Sequence, residues 1–487
     1  MIIEVIGFIV IFAGLLVIRY GPDFGIVVLM IGTLLGAAAA LKLPALGGAN
    51  ILPGHLLLPF YVLALVRQPG AISEMMRSLA FPKPGFWLAL FIAYGFVTAL
   101  LLPRLFAGVI EVLTIDREAD GIYVLPLAPS MSNITQPVYL AGDLVLYAAV
   151  VAHAARSGLV PIVRAVLIAA AVNLTFGTLD MVTYATGMSW LLDFIRNADY
   201  GMLVEGSIQG FKRIVGSFTE ASAFGAVTLM YFAFCFEFWL RGVTQQWTGI
   251  LALLSFLAVL LCTSSSAYGA LGIYLSVVMI RCLIGLFIGT ATTRSASIAL
   301  VGPIVMLTAL LSLMMLPDVW SAITALFDQT LLNKMNTQSG VERAMWNELG
   351  MRVFFESSML GAGLGSVRTS SFVIAVLAST GIMGAILLLA FFGGLVLQIL
   401  RPKRSRVAVA AAAAGGAACF VLSVTGTLAG AAVDLGLPFF VAAGLISAAA
   451  EEKLRPISAK APLNSFLRKQ INSSLEDGSK FRQNDVW

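Results

Sequence analysis

The chain has 487 residues, of which 59% are hydrophobic and only 11% are charged. Soluble domains carry about 25% charged residues, so this composition excludes an ordinary soluble protein. The formal net charge of +5 does not indicate a nucleic-acid partner, because excess Lys and Arg in a membrane protein chiefly sets its topology.

Apolar runs of nearly 20 residues recur along the whole chain, as expected for helices that cross a bilayer. No run alternates apolar and polar residues with period two, which argues against a transmembrane barrel. We therefore predict an all-α polytopic membrane protein with about 12–14 transmembrane helices. The predicted spans are 2–19, 24–41, 51–66, 85–106, 138–155, 158–177, 219–240, 247–263, 266–289, 296–316, 370–399, 406–426 and 430–449. The first run has no basic start and no cleavage site, so we expect a span there and not a removed signal.

Basic residues predict the orientation of these spans. The loop 401–406 (RPKRSR) and the polar tail 451–487 are rich in Lys and Arg, so both are expected on the cytoplasmic side. We assign the loops to alternating sides of the membrane, working backward from these two segments. Residues 1–450 are then one transmembrane domain in the inner membrane, with the C-terminus in the cytoplasm. This assignment also leaves three long loops in the periplasm, 107–137, 178–218 and a large helical loop at 317–369.

The first candidate site is the stretch 213–225 (RIVGSFTEASAFG), where a loop enters a span. Arg213 and Glu220 are its charged residues. One interpretation is an interfacial anchor, with Arg213 on lipid headgroups and Ser217 capping the helix. The other is a phosphate contact by Arg213, helped by backbone N–H groups at the start of the helix.

A second candidate follows the next span, in the hydroxyl-rich stretch 263–269 (TSSSAYG). Hydroxyls in a helix commonly bond back to their own backbone. Ser265 is a candidate substrate contact only if this stretch faces the same cavity as Arg213.

The third candidate is the long polar-to-apolar passage 341–381. Its charged helix places Glu348, Arg352 and Glu356 four residues apart, on one face. Such spacing is also typical of a salt-bridged surface without function. Arg343 precedes this row and Arg368 follows it, and a guanidinium can bind two phosphate oxygens at once. Between them, a glycine run allows positive φ and close backbone approach at Gly361, Gly363 and Gly365.

Few ionisable residues fall inside the predicted spans. The main ones are Asp143, His153 and Asp434, with Glu237 near a cytoplasmic end. They form no chain along one helix, so a proton relay is not predicted. The cysteines make no Cys/His cluster, so a zinc site is not expected. The chain's other histidine, His55, is expected to be packed or to line a cavity.

Several motifs, taken in order, resemble the O-antigen ligase and polysaccharide polymerase superfamily of integral-membrane glycosyltransferases. The resemblance covers about 205–400, and the first half matches only as a run of spans. The matching elements are R-x-x-G-x-F from Arg213, T-S-S-S from Thr263, R-x-x-W from Arg343, G-x-G-x-G-S from Gly361, and G-I-M-G from Gly381.

The resemblance implies a GT-C-like fold and a metal-independent, inverting transfer of glycan from undecaprenyl diphosphate at the periplasmic face. Arg213 and Arg343 would hold the diphosphate or the glycan, and local chemistry adds Arg352 and Arg368. Ligases of the family carry a histidine before the next span, but the stretch 366–376 has none. Many members also have an arginine where this chain has Ser266. Both departures favour the polymerase type.

These departures leave the general base unassigned among Glu220, Glu348 and Glu356. The main hypothesis is therefore a polymerase of an exported polysaccharide that needs no cofactor. Its partners would be a lipid-linked glycan, membrane lipids and possibly a chain-length regulator, with no nucleic acid. The rival hypotheses are a ligase that moves finished glycan to another acceptor, and a transporter or flippase of the lipid-linked sugar.

Overall fold

The computed structural model describes residues 1–44, 48–116, 121–199, 201–208, 211–315, 320–321, 324 and 337–452. The predicted tail after 452, Arg117 and nearly all of 316–336 lie outside this described part. Its helices are α1 Val5–Tyr20, α2 Pro22–Gly32, α3 Pro53–Val66, α4 Ala71–Ser78, α5 Pro84–Leu105, α6 Ser132–Ser157, α7 Val160–Ala185, α8 Ala221–Leu240, α9 Gln245–Leu261, α10 Ser265–Ile288, α11 Thr293–Met314, α12 Gln338–Glu356, α13 Phe372–Leu400, α14 Arg406–Ala429 and α15 Leu437–Ala450.

Helix length and composition confirm the predicted class, a multi-pass helical membrane protein. Among the described residues, seven helices are long and apolar enough to cross a membrane. The count becomes eight if α3 and α4, bent by 118° at a short break, form one span. Five further apolar helices are shorter, so the predicted 12–14 spans are reached only when these are included.

The second predicted span, 24–41, is wrong over its latter part. Helix α2 has 11 residues, about 16 Å, which is about half the thickness of a bilayer core. Residues 33–40 are irregular and largely buried. Backbone polar groups inside a membrane protein need partners, and this stretch finds them in a neighbouring loop. The hydroxyl of Ser217 donates to the carbonyl of Leu34 at 2.7 Å, and the N–H of Ala37 donates to the carbonyl of Ser217 at 3.0 Å.

The segments predicted as periplasmic loops contain short strands, which the sequence did not predict. The first loop holds an antiparallel hairpin of β4 Glu111–Asp116 and β5 Gly121–Pro126. The second holds a 3-10 helix, Ser189–Ile195, and a small hairpin, β6 Ser207–Ile208 and β7 Phe211–Lys212. Near the N-terminus, β1 Ile2–Ile3, β2 Leu41–Leu43 and β3 Ala49–Ile51 form a three-stranded antiparallel sheet.

The glycine run after α12 packs against a break in α13. Gly381 has non-helical φ/ψ (65°, −164°), which frees carbonyls that an intact helix would use. Two of these accept from the glycine loop: the N–H of Ala362 donates to Ala378 at 2.8 Å and that of Gly363 to Ser379 at 3.0 Å. The N–H of Ile382 donates in turn to Met359 at 3.0 Å. The glycine loop therefore supplies the backbone hydrogen-bond partners that a continuous helix would have at this break.

This packing predicts the effect of a single methyl group. Gly365 has φ +88°, and a Cβ there would collide with the carbonyl oxygen of Ser132. We expect Gly365→Ala to lower the free energy of unfolding by about 2–5 kcal/mol, from backbone strain and steric overlap. Thermal unfolding in detergent measures the change. The matched control is Gly393→Ala in α13, where a Cβ meets nothing within 4 Å. Equal melting temperatures for the two variants would contradict the prediction.

Basic and acidic side chains connect the loops at the end of the bundle that is predicted to be cytoplasmic. Lys83 Nζ lies 2.6 Å from Glu451 Oε1, so the loop before α5 meets the end of α15. Glu237 is fully buried at the end of α8, where it pairs with Arg241 and, at 2.6 Å, with Arg281. The candidate motifs 213–220, 263–266 and 361–371 lie at the starts of α8, α10 and α13, which are at the opposite end of the bundle.

Candidate functional site

A cavity of about 390 Å³ lies where the ends of α2 and α14 meet the starts of α3, α8, α10 and α15. One wall is the unwound turn after α2, and another is the end of α14 with the loop into α15. Its polar lining residues are Thr33, His55, Thr219, Glu220, Ser222, Ser266, Thr425 and Asp434. The cavity lies at the end of the bundle that the charge pattern predicts to be periplasmic.

Asp180, near the end of α7, holds the loop that enters this cavity. Its Oδ2 accepts from the backbone N–H groups of Val215 at 2.8 Å and Gly216 at 3.1 Å. Its Oδ1 lies 2.7 Å from Arg196 Nη2, and Lys212 Nζ lies 3.4 Å from Oδ2. All three charged side chains are almost completely buried. Burial lowers the pKa of Lys212, and the Asp180 carboxylate partly offsets this shift.

Arg213 lies between this loop and the hydroxyl-rich stretch before α10. Its Nη2 donates to the carbonyl oxygen of Thr263 at 3.3 Å, whereas its buried Nε has no hydrogen-bond partner among the described residues. Ser264 caps α10, with its hydroxyl accepting from the N–H of Ala267. Ser266 lines the cavity, and the predicted contact Ser265 is not among the lining residues.

Arg368 approaches from the loop before α13. Its backbone N–H donates to the carbonyl of Leu113 at 2.9 Å, and its Cζ lies 5.7 Å from the centroid of the Trp346 ring. Burial lowers the pKa of Arg368, and the nearby Glu220 carboxylate partly offsets this shift. The Nε of Arg368 is buried and, like that of Arg213, has no hydrogen-bond partner in the described structure.

Glu220 places a carboxylate on the cavity wall, near Arg368. It is the residue that precedes the first turn of α8, it is partly buried, and it lines the cavity wall. The Ser222 hydroxyl donates to its Oε1. Of the three predicted carboxylates, Glu220 is the one that lines the cavity.

The charged row on α12 lies away from this cavity. The side chains of Glu348 and Arg352 are 75% and 54% exposed and their charged atoms are 3.7 Å apart, an ion pair typical of a solvated helix face. Glu356 is also exposed. Arg343 is partly buried near the start of α12 and does not line the cavity. Gly363 and Gly365 pack against neighbouring backbone, so their positive φ serves the fold.

Two polar groupings bring together residues that are far apart in the sequence and that were predicted only as isolated ionisable positions. Near the predicted cytoplasmic end, Tyr61 Oη lies 2.9 Å from His153 Nδ1, and His153 Nε2 lies 2.7 Å from Asp23 Oδ1. These hydrogen bonds connect three different helices, so the pattern of any single helix could not predict them. The second grouping, His55 with Asp143 and Asp434, lies beside the cavity.

An apolar groove of about 490 Å³ runs between α13 and α14. Its lining begins at Phe372, four residues after Arg368, and continues to Ile399. On α14, Cys419, Phe420, Ser423 and Thr427 face this groove, while Leu422, Thr425, Gly426 and Ala429 face the polar cavity. Helix α14 therefore separates the apolar groove from the cavity that Glu220 lines.

Fold and cavity together define a multi-pass helical membrane protein with a cavity, lined in part by polar side chains, at one end of its bundle. Compared with known proteins, the chain matches no protein-family model and no curated protein.

Proposed function

We propose that this protein is a glycosyltransferase of the polysaccharide polymerase type, with the GT-C-like fold that the family resemblance implies. It would transfer glycan from undecaprenyl diphosphate to the sugar end of a second lipid-linked unit at the periplasmic face of a bacterial inner membrane. The observation that carries the proposal is the unpartnered, buried Nε–H of two arginines, Arg213 and Arg368, in the segments that precede α8 and α13.

Both arginines have unused hydrogen-bonding capacity. Each has a buried Nε–H without a partner, and neither forms an ion pair within the described ranges. A buried donor without an acceptor costs about 1–3 kcal/mol, more when the group is charged. A diphosphate would supply the missing acceptors, since phosphate oxygens match the guanidinium fork.

The proposed reaction is a displacement at the anomeric carbon. The acceptor hydroxyl oxygen forms the new bond while the bond from carbon to the diphosphate oxygen breaks, and the diphosphate leaves with that electron pair. Glu220 takes the proton of the hydroxyl as general base. Arg213 and Arg368 stabilise the charge that develops on the leaving group. The glycosidic configuration is inverted, as the resemblance implies.

The apolar groove supports a lipid-linked donor. It starts four residues after Arg368, at the beginning of α13, so a diphosphate at Arg368 would leave its polyprenyl chain beside Phe372 and along α13. Burying a hydrocarbon chain contributes about 0.8 kcal/mol per CH₂. The groove thus provides the tail with a binding site next to the proposed headgroup site.

The test is polymer formation by the purified protein. Reconstituted in liposomes with undecaprenyl-diphosphate-linked repeat units and no ion gradient, it is expected to form glycan ladders that lengthen with time. Absence of products longer than one repeat would contradict the proposal. A ligase would instead leave long lipid-linked polymer in a deletion strain, whereas loss of a polymerase leaves single repeat units.

A transporter is the second candidate, and the interruption after α2 favours it. Broken helices that end within the membrane are common in transporters, where the unwound backbone lines the substrate site. Here Gly32, Thr33, Leu35 and Gly36 line the cavity. Movement of a lipid-linked sugar across liposomes without any change in glycan length would support this alternative.

A further inference from the structure

We propose that His55, Asp143 and Asp434 bind a divalent transition-metal ion, with Zn²⁺ or Mn²⁺ as the best matches. The proposal does not depend on the transferase function. It rests on three ligand-type side chains from three separate segments: the start of α3, the middle of α6 and the loop before α15. One donor atom from each lies within 4.8 Å of the other two.

The donor atoms of Asp143 and His55 lack other partners. Asp143 is fully buried, and neither of its carboxylate oxygens has a hydrogen-bond partner among the described residues. The same holds for both ring nitrogens of His55. An unpartnered carboxylate inside a membrane protein is strongly unfavourable, so such residues normally pair or coordinate a cation.

A single proton does not satisfy this arrangement. Shared between Asp143 and Asp434, it would neutralise one of two adjacent negative charges but leave both nitrogens of His55 without partners. A divalent cation bonds to all three side chains and balances both carboxylates. Imidazole suits zinc, copper, iron and nickel, while carboxylate suits manganese, so the mixed set favours Zn²⁺ or Mn²⁺.

The surroundings hold two of the ligands in orientation. The backbone N–H of Gly436 donates to Asp434 Oδ1 at 2.6 Å. The Tyr139 ring packs edge-on against His55, with centroids 4.7 Å apart, and its hydroxyl donates to the carbonyl of Asn50 at 3.0 Å. Such contacts around the ligands are usual at metal sites, where they fix ring and carboxylate orientation.

A bound ion would draw the three donors closer together. Donor atoms around a tetrahedral zinc ion are about 3.3 Å apart, given Zn–N and Zn–O bonds of about 2.0–2.1 Å. In this structure the three donor atoms lie within 4.8 Å of one another. His55 and Asp434 also line the cavity, so the open fourth position of a three-ligand site would face it. A bound ion would present that position to water or to an anionic oxygen in the cavity.

The test is direct metal analysis of the full chain, purified in detergent with a tag that contains no histidine. The protein is stripped with EDTA, incubated with a small excess of Zn²⁺ or Mn²⁺, desalted and analysed by mass spectrometry. We expect about one ion per chain for the wild type, and at least a tenfold loss of affinity in Asp143→Asn. Added Zn²⁺ should raise the melting temperature of the wild type and not that of the variant.

Asp23→Asn is the matched control, because Asp23 also contacts a histidine, His153, but in a separate grouping. It is expected to retain the metal as the wild type does. Should Asp143→Asn not elute as a monodisperse species, Asp434→Asn replaces it, since Asp434 is only partly buried. Less than about 0.2 ion per wild-type chain, or unchanged binding in Asp143→Asn (or in Asp434→Asn where it replaces that variant), would overturn the proposal.

Discussion

Arg368→Ala is expected to lower the initial rate of polymer formation by about 100-fold, because loss of one preorganised donor to a developing negative charge costs that much or more. Arg368 lies near Glu220 and next to the start of the apolar groove. Arg213→Ala is expected to have an effect of similar size. Arg368→Lys keeps the charge but not the planar guanidinium fork, so we expect its initial rate to be about tenfold higher than that of Arg368→Ala. The assay is the liposome reaction with lipid-linked repeat units.

Two controls separate the charge of Arg368 from its packing. Arg352→Ala removes an arginine of the same region whose side chain is 54% exposed, and it should change the rate by less than about twofold. Trp346→Ala removes the ring beside Arg368 but leaves the charge in place, so it should cost much less than Arg368→Ala. A rate for Arg368→Ala within threefold of the wild type would refute the role assigned to this residue.

Asp180→Asn is expected to lower the free energy of unfolding by about 3–5 kcal/mol, as when one partner of a buried ion pair is removed. The substitution leaves Arg196 and Lys212 buried without their carboxylate, and it weakens the two backbone contacts to Val215 and Gly216. Since the same loop carries Arg213 and Glu220, activity should fall together with stability. Denaturant unfolding in micelles measures the first effect, and the liposome assay measures the second.

The matched control for this prediction is Asp193→Asn. Asp193 belongs to the same predicted periplasmic loop, but its side chain is exposed. We expect a change below about 0.5 kcal/mol, as for most surface substitutions. A loss below about 1 kcal/mol in Asp180→Asn would mean that this cluster does not hold the loop.

The structure brings some of the predicted site residues together and leaves others apart. Arg213 and Glu220 lie in one segment and Arg368 in another, and the fold brings Arg368 near Glu220, which lines the cavity. Glu348 and Arg352 share a helix face as their spacing predicts, but that face is solvated. Spacing of four residues tells which side chains are neighbours on a helix, and it does not tell what the helix packs against.

The sequence by itself determined the class of protein and the order of its segments. Hydrophobic length and the distribution of basic residues act locally, since each span must match the bilayer whatever its neighbours are. The positive φ of the glycine run was also predictable, because that freedom belongs to the residue.

Only the tertiary structure decided where α2 and α13 break, and which buried charges meet. An interrupted helix is stable only when another segment supplies partners for its freed backbone groups, as Ser217 does for α2 and the glycine loop does for α13. Asp180 with Arg196, and His55 with Asp143 and Asp434, are likewise brought together by packing between distant segments. No local pattern encodes such contacts, because their stability depends on side chains that are far apart in the chain.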